Sequence, residues 1–345
     1  MSIECAISGT TGADASVARR ARRLDVLICL VLCGTPVVMV FSRESPVALL
    51  GLLAALVTTR ALLLKGWAGV LSAITAVFMK RETVLLVAAL AYVALSVGWS
   101  VVPQRGGLFA LHMAATAFGA LALFTFGSRV NTRKLGVGLA VGLALAAILV
   151  LIEMKNERVI RGMIGLTTED FRLNRTSVAI VLLLPVALLG LWRQQARFLM
   201  FPLGFVCAWA VFVAISSTAQ LGLVVVAAMI PLAMVAPRLF HWLAAASLAA
   251  VTLTTPLFLT EINHAIPEAM RQQLTYGTFG IRADMWSIIA GLVWEQPIFG
   301  LGIESSSFLD RTPIAQLLPP DQLRLVTLGH PHNGILQIWA DLGLV

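Results

Sequence analysis

Leu135 to Ile152 reads LGVGLAVGLALAAILVLI, eighteen residues without one polar side chain. A bilayer core about 30 Å thick needs roughly 20 such residues in a helix, and few soluble helices are apolar on every face. This stretch therefore crosses a membrane, and it fixes the class of the whole chain. Its flanks agree, with Arg129 to Lys134 before it and Glu153 to Arg175 after it.

Working outward in both directions, similar runs recur. The spacing predicts spans at Val26–Phe41, Pro46–Leu64, Thr83–Val102, Leu108–Phe126, Leu135–Ile152, Thr176–Trp192, Phe198–Ile215, Thr218–Ala236 and Leu239–Leu259. Trp67 to Met79 is apolar but shorter than a span, with Lys65 before it and Lys80 and Arg81 after it, so residues 66–80 read as an interfacial or re-entrant segment. The chain of 345 residues is 59% hydrophobic and 12% charged, about half the usual charged share of soluble domains, with a mean hydropathy of +0.91.

The net charge of +8 would suggest nucleic acid in a soluble protein. Here the basic residues stand in short loops between apolar runs, which is the pattern of the positive-inside rule. Arg19–Arg23, Arg60 with Lys65–Arg81, Arg129–Lys134, Arg193–Arg197 and Arg238 then share the cytoplasmic side. Ser42–Ser45, Pro103–Gly107, Glu153–Arg175, Ser216–Ser217 and the polar segment from Thr260 to about Gly329 face the other side. Residues 1–23 read as an uncleaved cytoplasmic tail, since they end in RRARR and lack a cleavage context. Cys5, Cys29, Cys33 and Cys207 show no metal or disulfide spacing.

Ion-coupled transporters place ionisable groups near the bilayer midplane. No Asp, Glu or Lys falls in the middle of a predicted span, and His112 and Gln220 lie within a few residues of the outer face. The chemistry-bearing side chains gather outside. Gly277 to Phe308 reads GTFGIRADMWSIIAGLVWEQPIFGLGIESSSF, in which Arg282 and Trp286 share a helix face and Pro297, Gly300 and Gly302 make a turn. Gly329 to Val345, GHPHNGILQIWADLGLV, then places His330, His332 and Asn333 at the head of an apolar helix.

This order resembles the O-antigen ligase family: an R-x-x-x-W helix, a P-x-x-G-x-G turn, a variable loop, then H-x-H-N before a helix ending D-L-G-L-V. Trp99 to Pro103 (WSVVP) and Leu173 to Pro185 (LNRTSVAIVLLLP) are similar to further family segments. The resemblance implies an all-α polytopic transmembrane helix bundle with a large helical periplasmic loop near the C-terminus. Residues 24–259 form the bundle, 260–331 the periplasmic catalytic loop, and 332–345 the start of a further transmembrane helix that is cut short. It also implies a metal-independent membrane glycosyltransferase of the bacterial inner membrane, with no cofactor. The donor that the resemblance implies is a glycan on undecaprenyl diphosphate, and the acceptor it implies is a hydroxyl of lipid A core. A polymerase using the same motifs on a second glycan, a polysaccharide transporter or flippase, and an inactive membrane scaffold are the alternatives.

Carried over by motif, the essential histidine falls on His332 and the loop arginine on Arg282. Residue chemistry supports both roles: imidazole suits a base working near neutral pH, and a guanidinium grips phosphate through two parallel hydrogen bonds. His330, Asn333, Trp286 and Gln220 are further candidates for substrate binding. Trp286, Trp294 and Trp339 also read as interface anchors. The family's S-x-S-R pattern is missing, for Ser216 to Gln220 reads SSTAQ, and Arg175, Arg172 and Arg161 stand in the other outer loop. Arg175, at a helix mouth, is the choice for a second phosphate ligand. The carboxylates Asp284, Glu295, Glu304, Asp310 and Asp321 show no metal-ligand spacing.

Overall fold

The structure, a computed structural model, describes residues 12–42, 45–127, 130, 132–166, 168, 173–214, 216–265, 278–327, 329 and 331–344. All regular structure among them is helical. The helices are α1 (Gly12–Phe41), α2 (Ser45–Phe78), α3 (Arg81–Ser96), α4 (Pro103–Gly127), α5 (Thr132–Lys155), α6 (Val159–Met163), α7 (Asn174–Arg193), α8 (Met200–Val213), α9 (Ser217–Val235), α10 (Pro237–Ala265), α11 (Thr278–Val293), α12 (Pro320–Val326) and α13 (Gly334–Leu342). The protein is thus an all-α polytopic helix bundle. Among the described residues, eight helices are long and apolar enough to cross a membrane, namely α1 to α5, α7, α9 and α10.

The seventh expected span, Phe198–Ile215, is one residue shorter in the structure, where the apolar helix covers Arg197–Val213 and ends two residues early. Its first residues, Arg197–Leu199, form a 3-10 turn following Gln195, whose φ is 62°.

The chain divides into two units, residues 1–79 with 116–237 and residues 80–115 with 238–345. The first packs around α5. Leu143, Ala146, Ala147 and Val150 of α5 are fully buried, beside Val40 of α1, Ala187 of α7 and Cys207 of α8. Lipid tails are as apolar as leucine, so burial alone drives little helix association in a bilayer, and close backbone approach matters more. A Cβ on Gly142 would collide with the Cys33 carbonyl oxygen, and one on Gly136 would lie 2.7 Å from the Gly190 Cα. Glycine is what lets α1 and α7 come this close to α5.

Helix α2 is broken at Gly66, whose φ of 65° and ψ of 178° belong to a region open essentially to glycine alone. The chain doubles back there. Thr58 before the break lines one cavity of about 180 Å³ with Ile74, Val77 and Phe78 after it. Val57 and Val70, one on each arm, are both buried in the same cluster with Phe126. Of the large apolar residues after the break, Val70 and Val77 are buried, while Trp67, Leu71, Ile74, Phe78 and Met79 stay exposed.

The segment between α5 and α7 in the first unit is tied down by its own charges. Glu153 is fully buried and accepts hydrogen bonds from the Ile160 and Arg161 amides at 3.0 and 3.3 Å. These are amides that the start of α6 leaves without helical partners. Arg161 is 5% exposed and donates from Nη1 to the Val40 carbonyl at 2.6 Å, closing the end of α1. Its guanidinium is therefore held inside the fold, which removes it from the arginines open to an anion.

Candidate functional site

In the second unit the helix α13 is fixed at both ends. Its last carbonyls have no helical donors and are met instead by the P-x-x-G-x-G turn. The Leu301 amide donates to Ala340 O at 2.8 Å, and the Gly302 amide to Asp341 O at 2.9 Å. The Tyr92 hydroxyl donates to Leu342 O at 2.7 Å. Asp341 is buried and accepts from the Ser306 amide at 2.7 Å. Gly300 and Gly302 both have positive φ, and a Cβ on Gly300 would come within 2.6 Å of the Asp341 backbone.

The WSVVP segment lies on the same turn. Ser100 Oγ donates to Ile303 O at 2.7 Å, and a Cβ on Gly302 would lie 2.5 Å from the Ser100 backbone. The three separated motifs, WSVVP, P-x-x-G-x-G and D-L-G, therefore meet at one point. Their glycines are there because backbone meets backbone.

At the other end, Asn333 is the N-cap of α13. Its Oδ1 accepts from the Leu336 amide at 3.1 Å, and Leu336 is fully buried. An N-cap of this kind typically contributes about 1 kcal/mol. Trp339, one helical turn further on, is 6% exposed and donates from Nε1 to Thr252 O of α10 at 2.7 Å. Pro256 lies inside α10 and has no amide to give to Thr252, its acceptor four residues back. The indole of Trp339 takes the place of that missing donor. Trp339 is a buried strut here rather than an interface anchor.

Between these ends, Arg282 and Trp286 stand one turn apart on α11, Arg282 exposed and Trp286 half-buried. Their helix is seated by Ala283, Met285, Ile289 and Ala290, all buried in the core of this unit. Trp286 Nε1 donates to the Pro331 carbonyl at 2.6 Å, so the R-x-x-x-W helix holds the H-x-H-N loop by a direct bond. His332 follows Pro331, is exposed, and has a φ of 51°, a left-handed backbone uncommon for a residue with a Cβ.

The expected site residues are divided between the two units. Arg282, Trp286, His332 and Asn333 belong to the second unit, and the Trp286 bond and the Asn333 cap fix the loop that carries His332. Arg175 and Gln220 belong to the first. Arg175 is exposed in the first turn of α7, and Gln220 donates from Nε2 to the Phe212 carbonyl at 3.3 Å, linking α9 to the end of α8. His330 and Arg172 lie outside the described residues. The contact of Trp286 with Pro331 was not legible in the sequence, because a four-residue spacing shows which face the indole shares with Arg282 but not what that face meets.

A family model described as O-Antigen ligase matches residues 171–345, half of the chain, and the matched region holds Arg282, Trp286, His332 and Asn333. No curated protein and no solved structure matches the chain.

Proposed function

The chain belongs to the O-antigen ligase family, and on that premise we propose that it transfers a glycan from undecaprenyl diphosphate to a hydroxyl of lipid A core. Membership and the eight candidate spans make it a multi-pass membrane protein of glycan transfer or polymerisation. The finer assignment places the reaction on the periplasmic face of the inner membrane. The observation that most supports it is the bond between Trp286 and Pro331, which gives the arginine helix and the histidine loop a shared support.

In this reading the acceptor hydroxyl oxygen attacks the anomeric carbon and forms the new C–O bond. The bond from that carbon to the diphosphate oxygen breaks, and its electron pair leaves with the diphosphate. His332 takes the acceptor proton and later releases it to water. Arg282 balances the charge growing on the leaving diphosphate through a guanidinium that is always protonated. His332 and Arg282 both stand exposed, as groups that meet a substrate must. One displacement inverts the anomeric configuration.

The test is transfer by the full chain in liposomes carrying the lipid-linked glycan and a lipid A core acceptor. His332→Ala is expected to lower kcat by about 10² to 10⁴. A correctly inserted H332A protein working at the parental rate sinks the assignment. Glycan appearing on lipid-linked repeats instead of lipid A core makes the protein a polymerase.

A further inference from the structure

We infer that Trp286 is a positioning residue for His332, acting through the carbonyl of Pro331 rather than by touching the sugar. The inference rests on the catalytic reading of His332 given above. It starts from the backbone: the φ of His332 is 51°, a conformation that a residue with a Cβ keeps only when its surroundings hold it.

That angle is set by the peptide plane joining Pro331 to His332. The oxygen of this plane accepts from Trp286 Nε1 at 2.6 Å. Pro331 is itself buried, and its ring limits its own φ to near −65°. On the far side of His332, Asn333 is held by its side-chain bond to the Leu336 amide and by the Gln337 amide donating to its carbonyl at 2.9 Å. The histidine is thereby clamped from both neighbours. One clamp is local to α13, and the other comes from α11, 45 residues away in sequence.

The source of the second clamp is rigid, since Met285, Ile289 and Ala290 around it are buried. The indole N–H is directed to protein and the residue is half-buried, an arrangement that suits a tether. Without the N–H, the Pro331 peptide plane is free to turn, the backbone of His332 relaxes toward negative φ, and the imidazole leaves the acceptor.

The experiment is a double-mutant cycle on the full chain in liposomes, with the lipid-linked glycan and the acceptor varied separately. Trp286→Phe keeps a ring and removes the N–H. It is expected to lower kcat by about 10- to 100-fold, with KM for both substrates within about 2-fold of parental. In a His332→Ala background W286F is expected to cause no further loss, because a residue acting only through His332 has nothing left to act on. Replacing Trp286 by 3-benzothienylalanine, the same shape with sulfur in place of N–H, gives the same result where W286F folds poorly.

Parental kcat in these variants overturns the inference. So does a raised KM at unchanged kcat, which marks a sugar platform, and so does multiplicative loss in the double variant. Should H332A itself prove as active as parental, the catalytic reading falls, and amide exchange then decides the tether alone. Exchange at His332 and Asn333 at least about 10-fold faster in W286F keeps it, and unchanged exchange sinks it.

Discussion

Arg282 and Lys65 carry the same formal charge, but the two side chain types are not interchangeable at a phosphate. A guanidinium offers a planar fork of donors, whereas an ammonium is a compact and strongly hydrated point. If Arg282 holds a leaving diphosphate, Arg282→Lys keeps the charge, loses the fork, and lowers kcat/KM by about 10- to 100-fold, with Arg282→Ala lower still. Initial rates in liposomes check the order. Gly300 makes a different kind of demand. Gly300→Ala adds a Cβ 2.6 Å from Asp341 backbone in a residue with φ of 64°, and about 2 to 4 kcal/mol of stability is expected to go. A lower thermal midpoint in detergent is the readout. The sequence shows which of these residues have suitable chemistry. It does not show that the guanidinium of Arg161 is turned onto Val40 O, 121 residues away, because nothing local marks a long-range hydrogen bond.

At the scale of elements, the pairing of α13 with α10 makes its own prediction. Trp339→Phe leaves Thr252 O without a donor inside an apolar helix, at a cost of about 1 to 2 kcal/mol. Adding Pro256→Ala supplies a backbone amide to that same carbonyl and is expected to recover most of the loss. Unfolding midpoints of the single and double variants check this, and a double variant no more stable than W339F overturns the pairing. The elements themselves were largely legible, since long apolar runs announce spans by length alone. The fold-back of α2 was harder to see: Gly66 is one glycine among many, and only the single cavity that Thr58 shares with Ile74 and Phe78 distinguishes it from a gentle bend. The meeting of WSVVP with the G-x-G turn was likewise hidden, since the two segments lie some two hundred residues apart.

For the whole molecule, the arrangement of arginines and lysines in loops is the argument for orientation. It predicts that a cysteine at Gln316 reacts with an impermeant maleimide in spheroplasts, and that one at Gln195 reacts only after the membrane is opened. Both positions are exposed, the native Cys29, Cys33 and Cys207 lie within α1 and α8, and the fourth native cysteine, Cys5, is replaced by serine in both variants. The reverse labelling pattern overturns the periplasmic placement of the site. A further consequence comes from the way α13 is gripped at its head by Trp286 and at its tail by Tyr92 and the glycine turn. The residues between that turn and Pro331 form a ring closed at both anchors. Leu309, Ala315 and Val326 pin that ring to the core, whereas Gln316 and Leu317 stand exposed on it, so the rim between the pinned points is where a change of side chain meets solvent without touching either anchor. On the proposed reading, substitutions at that rim are expected to alter which glycan is accepted and to leave the rate of the transfer step in place.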